Sequence, residues 1–195
     1  MKTLVVTGGI GSGKSVVCEY LAGKGIPVYD SDLRAKRLYE VRPAIIGELE
    51  ESLGGSFRLQ DGSLDRRALA AVVFGDTEKL LILEGIVHPY VVNDFLEWRN
   101  SYFNLVPFVV LESAIYFQKP LFHPLADRVL MVDAPLELRI SRVARRDSSS
   151  REEILARINA QDADTSKADA VVVNDGNIVD LYEKVETVLS TIWNA

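Results

Sequence analysis

Residues 3–15 read TLVVTGGIGSGKS, an apolar run that ends in a glycine-rich segment. From Gly8 to Ser15 the spacing is G-x-x-x-x-G-K-[ST], and a helical run, VVCEYLAGKG, follows it. Glycines let backbone N–H groups turn inward toward phosphate oxygens, and the positive end of the next helix adds to that field. A glycine-rich turn that matches by chance is the alternative, but the flanking strand and helix argue against it. The stretch therefore predicts a phosphate-binding loop.

The residue types in this loop have separate roles in binding a nucleotide. Lys14 is expected to reach the β- and γ-phosphates and to act in catalysis, and the Ser15 hydroxyl is expected to bind Mg²⁺. The loop does not distinguish ATP from GTP. The nearest match to a guanine-binding N/T-K-x-D pattern, residues 166–169, precedes a strand instead of following one, so we expect ATP. We assign nucleotide binding to Gly9, Gly11, Ser12, Gly13, Lys14, Ser15 and Val16.

Length and composition limit the class of protein. The 195 residues suit a single domain, and with 48% hydrophobic residues the chain can bury a substantial core. A net charge of −6 argues against a nucleic-acid partner. Cys18 is the only cysteine, which excludes an internal disulfide, and we expect it to be a small buried residue. No stretch approaches the about 20 apolar residues of a membrane span. We therefore expect a soluble cytoplasmic protein without membrane partners, a monomer or a weak homo-oligomer.

Five apolar runs predict the strands of the fold. They lie at 3–7, 26–29, 106–111, 128–133 and 169–173, and most lack polar alternation, as in parallel strands covered on both faces. Helical patterns lie between them, so the sequence predicts an α/β fold with helices on both sides of a parallel sheet.

Two helical segments interrupt the strand pattern. The first, about 33–105, has a predicted helix from Pro43 to Gly54, another that opens near Asp65, and two more that flank the His88-Pro89 step. Its position between two strands is typical of a substrate-holding insertion. The second segment, about 135–165, is a predicted helical hairpin, in which Ser150 and Glu153 form a capping box.

Acidic residues follow three of the predicted strands. Asp30-Ser31-Asp32 follows the second run, and the carboxyl ends of parallel strands form the edge where ligands bind. Asp32 is a candidate to orient a hydroxyl nucleophile and accept its proton. Alternatively, Ser31 or Asp32 caps the next helix. Glu112 and Asp133 also end apolar runs, where each can hold Mg²⁺ through water, orient substrate, or simply form a turn.

The ordered set of stretches around the loop resembles the dephospho-CoA kinase family. It comprises TGGIGSGKS, GIPVYDSDLRAK (25–36), LDRRALAAVVF (64–74), the His88-Pro89 step, LES (111–113), Val132-Asp133, Arg142, Arg146-Asp147, RINAQ (157–161) and ADAVVVNDG (168–176). These stretches span almost the whole chain in the family's order. The resemblance implies an ATP-dependent phosphotransferase with an alcohol acceptor. In such an enzyme the ATP γ-phosphate passes to the ribose 3′-hydroxyl of dephospho-CoA to give CoA and ADP, the final step of CoA biosynthesis.

The resemblance also implies an architecture. It is a P-loop NTPase-like, three-layer fold with a parallel sheet, a helical substrate-binding insertion and a helical lid. The expected single domain, 1–195, has a core of about 1–32, 106–134 and 166–195, a CoA-binding insertion of about 33–105, and a lid of about 135–165.

Site residues follow from the same resemblance. Asp32 matches the family's proposed base, and Arg66, His88 and Glu112 are assigned with it to substrate binding. For His88 the alternative is a hydrogen-bonded structural role. Arg66 and Arg67 are both candidates to meet CoA phosphates, and one of the two is expected to be a surface residue only.

Arg139, Arg142 and Arg146 recur at i, i+3 and i+7, which places them on one face of a helix. Guanidinium groups suit the clamping of a phosphoryl group, although a solvated basic face is the alternative. The resemblance favours a catalytic lid role for Arg142 and Arg146.

Two other functions remain open from the sequence. A nucleoside or nucleotide monophosphate kinase shares the loop, insertion and lid. A nucleotide-dependent switch protein shares only the loop, and it predicts a guanine-specificity motif that this sequence does not contain.

Overall fold

The computed structural model describes residues 1–161 and 164–193. Residues 162–163, within the expected lid, and 194–195, at the end of the expected core, lie outside the described residues. Five parallel strands form one sheet in the order β2-β3-β1-β4-β5. The strands are β1 (Lys2–Thr7), β2 (Val28–Asp30), β3 (Phe108–Glu112), β4 (Arg128–Asp133) and β5 (Ala170–Val173). The predicted α/β fold with a parallel sheet is confirmed, although β2 and β3 each begin two residues later than their apolar runs.

Eight α-helices accompany the sheet within the described residues. They are α1 (Lys14–Gly23), α2 (Ser31–Val41), α3 (Ala44–Leu53), α4 (Arg66–Val73), α5 (Thr77–Ser101), α6 (Leu136–Asp147), α7 (Arg151–Asn159) and α8 (Ile178–Thr191). No helix in the described part of the chain is both long and apolar enough to cross a bilayer.

The chain divides into two compact units. The core unit comprises Met1–Asp30 and Tyr102–Ala195, and the helical unit comprises Ser31–Ser101. In the core unit, β1 lies between β3 and β4, and its Leu4, Val5 and Val6 are fully buried. Leu4 and Val6 pack with residues of α1 and α8, while Val5 points to the opposite face, because successive side chains of a strand alternate. Burial on both faces explains the apolar run of the central strand β1. In the edge strand β5, by contrast, Val171 and Val173 are exposed.

The helices α6 and α7 form the predicted hairpin of the core unit. The Ser150 hydroxyl accepts a hydrogen bond from the Glu153 amide (3.2 Å), and the Glu153 carboxylate accepts one from the Ser150 amide (2.9 Å). The predicted capping box is therefore confirmed. Ile140 and Val143 of α6 pack against Ile154 and Ile158 of α7, and Ile10 of the phosphate loop joins this cluster.

In the helical unit, α2, α3 and α4 all contact the long helix α5. The prediction of two helices that flank the His88-Pro89 step is wrong, because α5 is a single helix of 25 residues with Pro89 inside it. Proline inside a helix removes one hydrogen bond and crowds the carbonyl four residues earlier, a cost of about 3 kcal/mol or more. Here Pro89 is exposed, while Val87, Val91 and Phe95 lie buried on one face before and after it. Burial of that face keeps the helix continuous.

Candidate active site

The glycine-rich loop runs from the end of β1 to the start of α1 at the carboxyl edge of the sheet. The helix begins at Lys14, and Gly13 caps it with a left-handed φ of 104°. A Cβ atom on Gly13 would lie 2.2 Å from the side-chain nitrogen of Asn174, so only glycine fits there. No acidic residue lies in the first turn of α1, so nothing in that turn offsets its positive end. The loop has the form that binds an anion.

Lys14 and Ser15 extend from the loop with defined partners. The Lys14 ammonium donates a hydrogen bond to the carbonyl of Gly9 (3.3 Å), so it reaches back across the loop. The Ser15 hydroxyl is exposed and donates to a carboxylate oxygen of Glu112 (3.0 Å), at the end of β3. The structure thus brings together Lys14, Ser15 and Glu112, which the sequence predicts separately.

Glu112 is partly buried beside another acid. Glu112 lies beside Asp30, the last residue of β2, in the register of the two parallel strands. Burial raises the pKa of Glu112, the negative charge of Asp30 raises it further, and the bond from Ser15 opposes both. Glu112 is therefore a carboxylate that takes up a proton more readily than an ordinary glutamate.

Cys18 lies one turn along α1 and is 3% exposed. Burial, then the charge of Glu112, raises the pKa of its thiol, so the thiol stays protonated and unreactive. Its expected role as a small buried residue is confirmed.

Two polar residues that the sequence does not single out support the loop from outside. Asn174, 7% exposed, follows β5 and donates to the carbonyl of Ser12 (2.8 Å). Gln161 accepts a hydrogen bond from the amide of Ile10 (2.6 Å). Both residues lie in stretches that resemble the family, but no local pattern indicates that they contact the loop. Their partners are more than 150 residues away in the chain.

The three arginines of α6 have different environments. Arg139 is 6% exposed, and its Nε donates to the carbonyl of Ile10 (3.0 Å). Arg142 donates to the side-chain oxygen of Asn174 (3.2 Å), to its carbonyl oxygen (3.1 Å), and to the carbonyls of Gly11 and Ser12 (both 3.4 Å). Arg146 has a 62% exposed side chain that pairs with Asp147 through two hydrogen bonds. Arg139 and Arg142 thus contact the loop backbone, whereas Arg146 forms a surface ion pair.

Asp32, Arg66 and His88, the other residues assigned to the site, belong to the helical unit. Asp32 lies in the first turn of α2, which begins at Ser31, so Asp32 is inside the helix and is not its cap. Its side chain is exposed and accepts no hydrogen bond from any described residue. Arg66 opens α4, exposed, and donates to the carbonyl of Lys36 (3.3 Å). His88 is half-buried in the middle of α5.

Comparison with known proteins covers most of the chain. A family model described as dephospho-CoA kinase matches residues 3–180. A dephospho-CoA kinase of Porphyromonas gingivalis is 42% identical over 170 residues, which are 87% of this chain and 82% of that protein. A solved structure from Thermus thermophilus has a TM-score of 0.80 and 38% identity, covering 97% of this chain and 96% of the other.

A dephospho-CoA kinase structure from Campylobacter jejuni has a TM-score of 0.64 at 25% identity, over 98% of this chain and 97% of that one. The region that the family model matches, residues 3–180, contains the phosphate loop, the acidic residues at the strand ends and the arginines of α6. Sequence, fold and loop geometry agree, and this chain belongs to the dephospho-CoA kinase family, kinases that phosphorylate a hydroxyl group.

Proposed function

We propose that this protein transfers the γ-phosphate of ATP to the ribose 3′-hydroxyl of dephospho-CoA, giving CoA and ADP. The observation that carries the proposal is the loop from Gly8 to Ser15, where the start of α1, Lys14 and Ser15 converge on one anion site beside Glu112. Phosphoryl transfer needs mainly positioning and charge stabilisation, which such a site supplies.

Mg²⁺ fits the donor set at this site. Mg²⁺ in kinases keeps several waters and binds through few protein groups together with the substrate phosphates. The exposed Ser15 hydroxyl would be a direct ligand of the ion, and Glu112, which accepts a hydrogen bond from that hydroxyl, would hold one of its waters. No group of three or more His, Cys, Asp or Glu residues that suits a metal occurs among the described residues. When bound, the ion neutralises charge that develops between the β- and γ-phosphates.

Asp32 is our candidate for the base that orients the ribose hydroxyl and accepts its proton. Its exposed carboxylate, with no hydrogen bond to any described residue, is available to a substrate. We assign Arg66, His88 and Glu112 to binding dephospho-CoA.

The division of labour that we propose is a nucleotide-binding core (about 1–32, 106–134 and 166–195), a CoA-binding insertion (about 33–105) and a lid (about 135–165). The compact helical unit, Ser31–Ser101, supports the insertion as a separate packing unit. The hairpin of α6 and α7, which has its own apolar cluster, supports the lid. In this lid Arg142 and Arg146 would complete the charge around the transferred group.

The test is release of ADP from Mg·ATP with dephospho-CoA, beside adenosine, AMP and pantetheine as alternative acceptors. Of these acceptors, we expect only dephospho-CoA to be phosphorylated, and we expect the Lys14→Ala variant to lose this activity. Faster turnover with AMP would indicate a nucleotide monophosphate kinase instead. ATP binding without turnover of any acceptor would indicate a nucleotide-dependent switch.

A further inference from the structure

Arg139 is a buried cation directly behind the phosphate loop. It lies in α6, and only 6% of its surface is exposed. Its Nε donates to the carbonyl of Ile10 (3.0 Å), a residue in the middle of the loop. This hydrogen bond uses one of the five N–H donors that a guanidinium carries.

The guanidinium of Arg139 lacks a full set of partners. Its terminal nitrogen Nη2 is buried and has no hydrogen-bond acceptor, and no carboxylate of residues 1–161 or 164–193 forms an ion pair with Arg139. Burial lowers the pKa of this guanidinium, and the charge of Asp133 opposes the shift. A buried and incompletely paired charge is costly, and such exceptions concentrate where function requires them.

Gly9 shows how closely the guanidinium approaches the loop. A Cβ atom on Gly9 would lie 2.1 Å from Nη2 and 2.8 Å from Cζ of Arg139, and its three nearest atoms would all belong to that side chain. The φ of Gly9 is not in the left-handed region, so the backbone there accepts other residues. A side chain at position 9 would therefore have to displace the guanidinium of Arg139.

We propose that Arg139 is a positioning residue for nucleotide binding, which packs on Gly9 and bonds to Ile10 to hold the loop in its phosphate-binding form. The inference rests on the proposed function. Its positive charge, which no carboxylate of the described residues pairs, also lies directly behind the loop, where the phosphates of ATP would supply the missing negative charge. Arg139 itself need not touch the nucleotide, since the loop backbone separates them.

The packing makes Gly9 and Arg139 one coupled unit. In Gly9→Ala the new methyl group would displace the guanidinium, which would break the bond to Ile10. Arg139→Ala removes the same bond directly. Once Arg139 is truncated, the alanine at position 9 has no side chain to collide with, so the second substitution should cost nothing more.

The experiment is a double-mutant cycle read by calorimetric binding of Mg·ATP in the absence of dephospho-CoA, with melting temperatures measured in parallel. We expect Gly9→Ala and Arg139→Ala each to weaken ATP binding about tenfold, the scale of one hydrogen bond from a charged group. The double variant should bind ATP as Arg139→Ala does. Gly23→Ala, where a Cβ meets no atom within 4 Å, and Arg145→Ala, an exposed arginine of α6, are the matched controls and should bind as the wild type does.

Two results would overturn the inference. One is wild-type ATP affinity in Arg139→Ala; the other is losses that multiply in the double variant. If Arg139→Ala does not fold, Arg139→Leu replaces it in the cycle, because leucine keeps the apolar stem but is too short to reach Gly9. A purely structural role would lower the melting temperature and leave ATP affinity, measured well below it, unchanged. ATP binding is measured without a phosphoryl acceptor. The double-mutant cycle would therefore still test the role of Arg139 if the protein did not phosphorylate dephospho-CoA.

Discussion

Replacing Asp32 with asparagine separates a catalytic role from a structural one. Asparagine keeps the size of the side chain but cannot accept a proton. Asp32 is exposed in the first turn of α2 and accepts no hydrogen bond from a described residue, so the substitution disturbs no packing and breaks no bond there. The structure thus leaves only one identifiable contribution of this carboxylate to stability, its interaction with the positive end of the helix.

The two effects differ in magnitude. The charge–dipole term at an exposed helix start is about 0.3–1 kcal/mol. For a chain of this length, about 1 kcal/mol shifts the melting temperature by about 2–4 °C. A positioned general base contributes about 10²–10⁴-fold to the rate. At about 1.4 kcal/mol per factor of ten, that is about 3–5 kcal/mol in the activation barrier. The expected loss in catalysis therefore exceeds the loss in stability several-fold.

The assay measures kcat with dephospho-CoA at saturating Mg·ATP, the Kd of ATP, and the melting temperature. Asp32→Asn should lose kcat by about two to four orders of magnitude while ATP affinity stays nearly intact. Glu40→Gln, an exposed carboxylate at the other end of α2, is the matched control and should retain wild-type kcat. Near-normal turnover by Asp32→Asn would refute the reasoning, and Glu112 would then become the candidate base.

Three further predictions concern the core unit. Lys14→Ala should fold normally and lose most ATP binding and activity, because it removes the charge directed at the phosphates; wild-type turnover by this variant would end the assignment of the loop. Arg142→Ala and Arg146→Ala should each lower kcat more than they weaken binding of dephospho-CoA, and an unchanged kcat would contradict the lid role of that arginine. Glu112→Gln should melt at a higher temperature than the wild type at neutral pH yet turn over more slowly. The raised pKa of Glu112 means that the folded state binds a proton more tightly than the unfolded chain, so stability falls as pH rises from the ordinary glutamate pKa through the raised one. Melting curves from pH 4 to 8, in steps of about one unit, should show the stability advantage of Glu112→Gln rising from the ordinary glutamate pKa and levelling off above the raised one. A lower melting temperature of this variant at neutral pH would contradict the burial argument.

The features that the sequence alone determined are local ones. The phosphate loop, the five strands and the capping box of Ser150 and Glu153 each depend on residues a few positions apart, whose spacing has one favoured backbone geometry. Even for these local features the predicted helix boundaries differ from the observed ones. The helix α2 begins at Ser31, which places Asp32 inside the helix and not at its cap. Helix ends depend on which backbone groups find partners, and spacing alone does not decide that.

Tertiary structure alone decided what surrounds the loop. Asn174, Gln161 and Arg139 contact it across separations of 162, 151 and 129 residues, so no local pattern marks them. The i, i+3, i+7 spacing of three arginines on α6 predicts one shared face. Arg139 is nevertheless buried against the loop while Arg146 points to solvent, because the packing of α6 against the loop covers only part of that face. Likewise, proline lacks a backbone N–H group, so Pro89 alone predicts a break in the helix. The burial of Val87, Val91 and Phe95 on both sides of Pro89 keeps α5 continuous. Side-chain packing between distant segments overrides local preference at these positions, since the free energy of burial there exceeds the local cost.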